Sequence, residues 1–206
     1  MNKADTRKYI QRILKRYDVG QEVNNSDEIY LLTRLFEKHP HWEIKKGCGI
    51  KSIRVRQGSY NSKCFEILRL DGTTTDISYT QCFDGKRTDI FEIKRACRSA
   101  VADVVWKFRD DNLVPGKSIC PFTGEVLFKE NTHIDHYDKK FREVFDLWIK
   151  DKDIKFIKSK LNDASIDGEM NRYFTNQEVI NDFISFHNNN THLRIVSVKA
   201  NLNILK

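Results

Sequence analysis

The chain has 206 residues, of which 39% are hydrophobic and 11% are aromatic, so it is long enough to bury one large core or two modest ones. Its formal net charge of +7 makes a polyanion a natural partner. Five scattered cysteines without a CxxC pair argue against a disulfide framework and against a four-cysteine zinc site. No apolar run approaches the roughly 20 residues that a membrane span needs, so we expect a cytoplasmic protein.

The first part of the chain is predicted to hold two amphipathic helices and a small sheet. Apolar side chains recur every three or four positions in residues 6–17 and again in residues 26–39, where Ser26 is a suitable N-cap. From residue 42 to residue 79 the apolar residues alternate with period two instead, interrupted by glycines and by the Asp71-Gly72 turn. This rhythm predicts an antiparallel sheet of three or four strands.

The second part of the chain is predicted to begin near Pro115-Gly116. The longest helical pattern, residues 88–112, ends just before this pair, and short strands are predicted as far as Tyr137. Further helices follow, with a polar loop at residues 163–168 between them. The pattern therefore predicts an α+β protein in two domains. We expect a nucleic-acid recognition domain over residues 1–114 and a second domain over residues 115–206.

Two segments of the second domain carry the residues best suited to chemistry. The strand Thr132–Tyr137 contains Asp135 next to His136, and a closing segment runs from His192 to Asn201. Together they resemble the HNH, or ββα-metal, nuclease family. In that family, a hairpin strand with an acidic residue and a histidine is followed by a segment of the form N-L-x-x-L-C-x-x-C-N. Asn201 follows His192 by nine positions, which matches the spacing of that segment.

The resemblance covers residues 116–206 and implies a role for each matched position. His136 would be the general base, Asp135 and Asn201 would bind the metal, and His192 would orient the base. The expected fold is a ββα-metal module elaborated with inserted helices.

The sequence departs from the family pattern in three ways. Cys120 alone remains of the zinc cysteines, because Gly124, Ser197 and Ala200 stand at other zinc positions. The middle residue is His192 instead of asparagine, and the segment between the two halves is about twice the family's usual length. We therefore expect no structural zinc, and we expect the inserted helices to supply the core that zinc would otherwise hold.

The same residues suit phosphodiester hydrolysis on chemical grounds. The reaction needs a deprotonated water and a positive centre for the charge that develops on the phosphate. An imidazole with a pKa of about 6.5 accepts a proton near neutral pH, and a carboxylate with an amide oxygen favours Mg²⁺ or Mn²⁺. Asp135 and His136 point to opposite faces of a strand unless it bends or ends there. His133 shares the face of Asp135 and is either a further ligand or a surface histidine; for His187 we favour a helix-capping role over a ligand role.

A second resemblance covers roughly residues 28–86. This stretch contains, in order, HP, KKGCGI, CFEILRLDG and DISYTQC. These elements resemble the DCL domain of plastid RNA-processing proteins and of a plant RNA polymerase subunit. The resemblance implies a nucleic-acid context for the first domain without naming a ligand.

Positive charge is concentrated in the predicted sheet. Residues 42–69 carry seven lysines and arginines against two glutamates, a net +5 of the +7 of the whole chain. We predict that these cations contact DNA phosphates, and the alternative is a solvated basic face without a target. The predicted contact residues are Lys45, Lys46, Lys51, Arg54, Arg56, Lys63 and Arg69 in the sheet, with Arg194 and Lys199 in the closing segment.

These features lead us to expect a metal-dependent endonuclease that cuts double-stranded DNA and resembles a small prokaryotic or phage restriction enzyme. Each active site would hold one Mg²⁺ or Mn²⁺ ion, without a small-molecule cofactor or a membrane partner. Because one site cuts one strand, duplex cleavage favours a homodimer. A modified base is a hypothetical target. Two alternatives stay open: an RNA-processing nuclease, and a non-catalytic nucleic-acid-binding module with a decayed site.

Overall fold

A computed structural model describes residues 2–58, 62–163 and 171–205. Helices alternate in these ranges with a three-stranded and a two-stranded antiparallel sheet, which confirms the predicted α+β class. The described residues divide into two compact units: the first holds residues 2–58, 62–88 and 163, and the second holds residues 89–162 and 171–205. No helix in the described ranges is long and apolar enough to cross a membrane. The polar loop predicted at residues 163–168 lies, apart from Asp163, outside the described residues.

The first unit packs helices against one face of a meandering sheet. Its elements are α1 (Lys3–Arg16), α2 (Ser26–Phe36), α3 (Trp42–Lys46), β1 (Ile50–Gln57), β2 (Lys63–Arg69), β3 (Thr74–Ile77) and α4 (Tyr79–Asp84). The strands lie in the order β1-β2-β3, and alternation sends Ile53, Val55, Phe65 and Ile67 into the core. The predicted helices and strands are present, whereas α3 and α4 were not predicted, since five or six residues are too few to display a helical period.

The Arg69 side chain holds the turn after α3 against the sheet. It is 7% exposed and donates to the backbone carbonyls of Ile44 and Lys45, each at 3.1 Å. Gly47 has a φ of +54° and lies so close that an added Cβ would fall 2.8 Å from Cδ of Arg69. Two elements of the DCL resemblance, KKGCGI and LRLDG, therefore contact each other, and Arg69 is buried instead of lying on the surface predicted to contact phosphates.

The second unit is mostly helical around a two-stranded sheet. Its elements are α5 (Asp89–Ala100), α6 (Ala102–Asn112), β4 (Thr132–His136), α7 (Phe141–Ile149), α8 (Ile154–Ser159), α9 (Gln177–Asn190), β5 (Leu193–Ser197) and a closing π-helix (Ala200–Ile204). The single helix predicted over residues 88–112 is thus two helices. They separate at Val101, whose backbone (φ −97°, ψ 2°) leaves the helical region.

The helix α5 belongs to the core of the second unit. Its residues Ile93 and Cys97 are 0% exposed and belong to one buried cluster with Phe145 of α7 and Phe183 of α9. The boundary between the units therefore falls after Thr88, ahead of the Pro-Gly pair expected to mark it. An apolar stripe on a helix predicts that one face is buried but does not say which core buries it.

Truncation of Ile93 tests the assignment of α5 to the second unit. Because Ile93 is 0% exposed, Ile93→Ala is expected to lower the free energy of unfolding by about 2–5 kcal/mol. Ile90→Ala on the same helix, where the side chain is 39% exposed, should cost roughly 0.5 kcal/mol or less. Hydrogen exchange should show lost amide protection in α7 and α9. Loss confined to β1 and β2 would contradict the assignment.

Candidate active site

The candidate site is built on the antiparallel pair of β4 and β5. The register sets Asp135 opposite Arg194 and continues to Thr132 opposite Ser197. The closing π-helix follows β5, and Oγ of Ser197 accepts from the backbone N–H of Ala200 at 3.1 Å, as an N-cap side chain does. The order strand, strand, helix is therefore present, with α7, α8 and α9 inserted between the strands.

His133, Asp135 and Asn201 are associated with one face of β4. His133 and Asp135 are two positions apart on the strand, so their side chains leave it on the same side. The side-chain amide nitrogen of Asn201 lies 3.0 Å from Nδ1 of His133. An amide nitrogen can only donate, so Nδ1 of His133 is the acceptor and its proton is on Nε2. Two predicted ligands, His133 and Asn201, are thus in contact on the strand face that also carries the third, Asp135.

Asp135 is a buried carboxylate between two cations. It is 4% exposed, and it accepts from Nζ of Lys140 at 3.0 Å and from Nε of Arg194 at 2.9 Å. Burial raises the pKa of Asp135, but the hydrogen bonds from Lys140 and Arg194 outweigh burial and hold the pKa below its usual value. The carboxylate is therefore ionised, which is the form that a divalent cation requires.

Two aromatic rings hold the Arg194 guanidinium beside Asp135. Its central carbon lies 4.5 Å from the ring centroid of Phe122 and 5.0 Å from that of Tyr137. This cation was predicted to contact DNA, and in the structure it forms an ion pair with Asp135 and packs against the two rings. Lys199, the other predicted contact in the closing segment, is exposed.

His136 has a different set of partners from Asp135. It is the last residue of β4, and its Nε2 lies 3.0 Å from Nε2 of His187 in α9. Its ring also packs edge-on against Phe141, with centroids 5.6 Å apart. Burial, together with the nearby His187 and Arg98, lowers the pKa of His136 to about 4. The imidazole is therefore neutral near physiological pH and has a lone pair with which to accept a proton.

The two remaining histidines of the predicted site are arranged differently from expectation. His187, expected to cap its helix, is 0% exposed and pairs with His136, and burial lowers its pKa. His192, implied to orient the base, is exposed, and its Nδ1 lies 3.2 Å from Oδ2 of Asp138. The ring that touches the candidate base is thus that of His187. The sequence offers no local signal for this contact, which spans 51 positions.

Hydrogen bonds connect the positions where the resemblance implied zinc cysteines. Sγ of Cys120 accepts from the backbone N–H of Ser197 at 3.2 Å, and Oγ1 of Thr123 lies 3.0 Å from Oγ of Ser197. Burial raises the pKa of Cys120, but these hydrogen bonds outweigh burial and bring the pKa to about 6. In the described ranges, no group of three or more His, Cys, Asp or Glu side chains is arranged to hold a metal ion. The candidate set at β4 is one carboxylate, one imidazole and one amide.

Most of the basic residues predicted in the first unit are engaged by its own groups. Arg54 forms an ion pair with Glu66 at 2.9 Å, and Lys45 pairs with Asp76 at 3.1 Å. The register sets Arg54 opposite Glu66 on neighbouring strands, whereas Lys45 reaches Asp76 of β3 from the helix α3. Asp76 lies outside the stretch in which charge was counted. The other internally bound cations are Arg56, Lys63 and Arg69, and the two that are exposed are Lys46 and Lys51.

Known proteins match the first unit. Residues 11–83 match a family described as "Protein of unknown function (DUF3223)". The chain is 39% identical over 77 residues to DNA-directed RNA polymerase IV subunit 1 of Arabidopsis thaliana, a match covering 37% of this chain and 5% of that one. It is 35% identical over 72 residues to Protein DCL, chloroplastic, of Solanum lycopersicum, covering 34% and 32%. The resemblance of residues 28–86 to the DCL family is therefore confirmed.

These similarities cover only parts of the proteins compared. The solution NMR structure of an uncharacterized protein from Rhodospirillum rubrum is 33% identical, with a TM-score of 0.37 over 39% of this chain and 77% of that chain. The match to this chain spans 5% and 32% of the two plant relatives. The family match ends at residue 83, so the interpretation of residues 116–206 depends on their own sequence and geometry.

Acid pH is expected to destabilise the second unit through His136. The pKa of His136 is about 4 in the folded state, against 6.5 for an unperturbed imidazole, so the unfolded state binds the proton first as pH falls. This contribution to stability is complete above pH 6.5 or so and is lost as pH falls to about 4. His136→Gln should flatten that part of the pH profile of the unfolding free energy, measured by denaturant titration. His192→Gln, at an exposed position, is the control, and an equal flattening of the pH profile there would count against a neutral imidazole at His136.

Proposed function

We propose that this chain, whose residues 11–83 carry a DUF3223 segment, is a divalent-metal-dependent endonuclease of the HNH type that cuts DNA. The pairing of β4 with β5 is the observation that supports this most. Through it, Asp135 and His133 share one strand face and Asn201 contacts His133, although 66 positions separate Asp135 from Asn201. The strand, strand, helix order agrees with the resemblance that suggested the activity.

The residues present fit one hard divalent ion. Asp135 is held ionised, and the Asn201 side chain offers an amide oxygen, so these two would hold Mg²⁺ or Mn²⁺, while His133, whose Nδ1 accepts from the Asn201 amide nitrogen, would orient that side chain. When bound, the ion supplies positive charge that stabilises the phosphate as charge develops on it. The neutral imidazole of His136 would accept the proton of the attacking water. Lys140 and Arg194, which now neutralise Asp135, are suited to contact the phosphate instead.

DNA is the substrate we favour, with RNA as the alternative. The preference for duplex DNA, a homodimer and a restriction role, including a modified base as target, comes from the two-domain layout. The relatives point elsewhere: one is a polymerase subunit and the other is named as chloroplastic. They favour the RNA-processing alternative and lend no support to a prokaryotic or phage origin.

A non-catalytic nucleic-acid-binding module is the second candidate. Two observations favour it: both oxygens of Asp135 are already paired with cations, and the half-buried ring of His136 packs against α7 and α9. The ion pairs of Asp135 and the imidazole pair are also what a folded protein would retain after activity had been lost. Cleavage itself therefore decides between the two candidates.

Plasmid cleavage tests the nuclease proposal. Supercoiled plasmid with Mg²⁺ or Mn²⁺ should yield nicked and linear products, and His136→Ala should slow cleavage at least about 100-fold, because the proton acceptor is removed. His192→Ala should change the rate only a few-fold, because its ring is exposed and pairs with Asp138. Labelled RNA beside DNA separates the two substrates. Binding without cleavage of either nucleic acid would support the non-catalytic module.

The salt dependence of DNA binding tests the surface of the first unit. Only Lys46 and Lys51 of the seven predicted cations there are exposed, so replacing both with alanine should reduce the slope of log K against log salt by about 2. The control pair Lys150→Ala and Lys155→Ala, also exposed, removes the same charge from the second unit. An equal change of the slope in both variants would indicate that DNA binding depends on the net charge of the chain and not on a site in the first unit. Arg69→Ala should instead lower stability, since that guanidinium is buried.

A further inference from the structure

The imidazoles of His136, which is half-buried, and His187, which is buried, face each other through their Nε2 atoms, which lie 3.0 Å apart. At this distance one nitrogen donates a proton and the other accepts it. His187 is 0% exposed, which disfavours a charge on its ring, and His136 must be neutral in order to accept a proton. Each ring therefore carries one proton, and the direction of the hydrogen bond fixes the tautomer of both.

The second ring nitrogen of His187, Nδ1, shows which of the two histidines donates the hydrogen bond. Nδ1 of His187 lies 3.2 Å from Oδ1 of Asn188. A side-chain carbonyl oxygen only accepts, so Nδ1 of His187 carries the proton and its Nε2 has a lone pair. Nε2 of His136 must then be the donor. The proton of His136 is thus on Nε2, and its Nδ1 has the free lone pair.

The surroundings of the pair hold both rings in place. His187 is 0% exposed, and its ring contacts Phe141 and Phe183 with centroid distances of 6.5 and 6.3 Å. Phe141 also lies against His136. Rotation of either ring would require the aromatic cluster to repack, which interiors resist. The exposed ring of His192 has no comparable packing, since it contacts Tyr137 and Asp138 at the surface.

We propose that His187 is the positioning residue for His136: it fixes the tautomer that leaves Nδ1 of His136 to take the proton of the attacking water. This inference rests on the proposed nuclease function. In the reaction, Nδ1 of His136 gains the water proton while the hydroxide oxygen bonds to phosphorus. The bond from phosphorus to the leaving oxygen breaks, and that oxygen takes a proton from solvent. Nε2 of the resulting imidazolium still donates to His187, so the hydrogen bond strengthens as charge develops.

Imidazole NMR of the full chain reads the tautomer without reference to activity. Long-range correlations between ring carbon-bound protons and ¹⁵N should show His136 protonated at Nε2 in the wild type. In His187→Leu, which fills the space but cannot accept a proton, the preference should weaken. Protonation at Nδ1 of His136 in the wild type would overturn the inference, and so would an unchanged tautomer preference in His187→Leu.

Kinetics then separate positioning from packing. His187→Leu is expected to lower kcat for plasmid cleavage by about 10- to 100-fold with KM nearly unchanged, because it removes the partner that orients the base. His187→Gln offers an acceptor oxygen at the same position and should recover much of that loss. Equal activity of the two variants, at equal thermal stability, would assign His187 to packing alone.

The two proposals fail in different ways. A wild type that cuts DNA but carries the other tautomer overturns only the role of His187. A wild type with the expected tautomer that cuts neither DNA nor RNA overturns the nuclease function and the catalytic role of His187 with it, leaving the imidazole pair as a structural contact.

Discussion

The antiparallel pairing of β4 with β5 is the interaction on which the second unit depends. It joins segments separated by α7, α8 and α9, so it closes a long loop whose entropic cost other contacts of the unit must offset. The helices in turn have a core of their own, to which α5 contributes Ile93 and Cys97. A second, smaller cluster around Cys120, Val196 and Ala200 covers the strands where the resemblance implied zinc. Hydrogen bonds to Cys120 and Ser197 connect the segments that a structural zinc ion joins in the nuclease family.

Two adjacent residues of β4, Asp135 and His136, lie in different environments. Alternation along β4 gives Asp135 a polar setting with Lys140 and Arg194, while His136 enters an aromatic cluster one residue later. The carboxylate stays charged because cations neutralise it, and the imidazole stays neutral because burial penalises its charge. The Asp135 carboxylate is thereby kept as an anion, the form that binds a metal, and the His136 imidazole is kept neutral with a free lone pair.

Sequence patterns within single segments predicted the helices and strands that depend on local periodicity. Periodicity located α1, α2 and the three-stranded sheet, and the residue types around Asp135 located the polar strand. The sequence could not reveal which core buries α5, since an apolar stripe does not name its partner. Nor could a charge count foresee that Glu66 and Asp76 face the cations of the sheet, because register decides that. The contact between His136 and His187 depends on the packing of α9 and has no signature in either segment.

The two cations on Asp135 have a thermodynamic consequence for the proposed site. A divalent ion would enter by exchange, because it must compete with ammonium and guanidinium groups already neutralising the carboxylate. Phosphates of a bound nucleic acid would attract those same groups and weaken their hold on the carboxylate. Metal and nucleic acid would then bind with positive linkage, each raising the affinity for the other by the same factor. Without nucleic acid, the charge of the carboxylate would remain balanced by the protein itself.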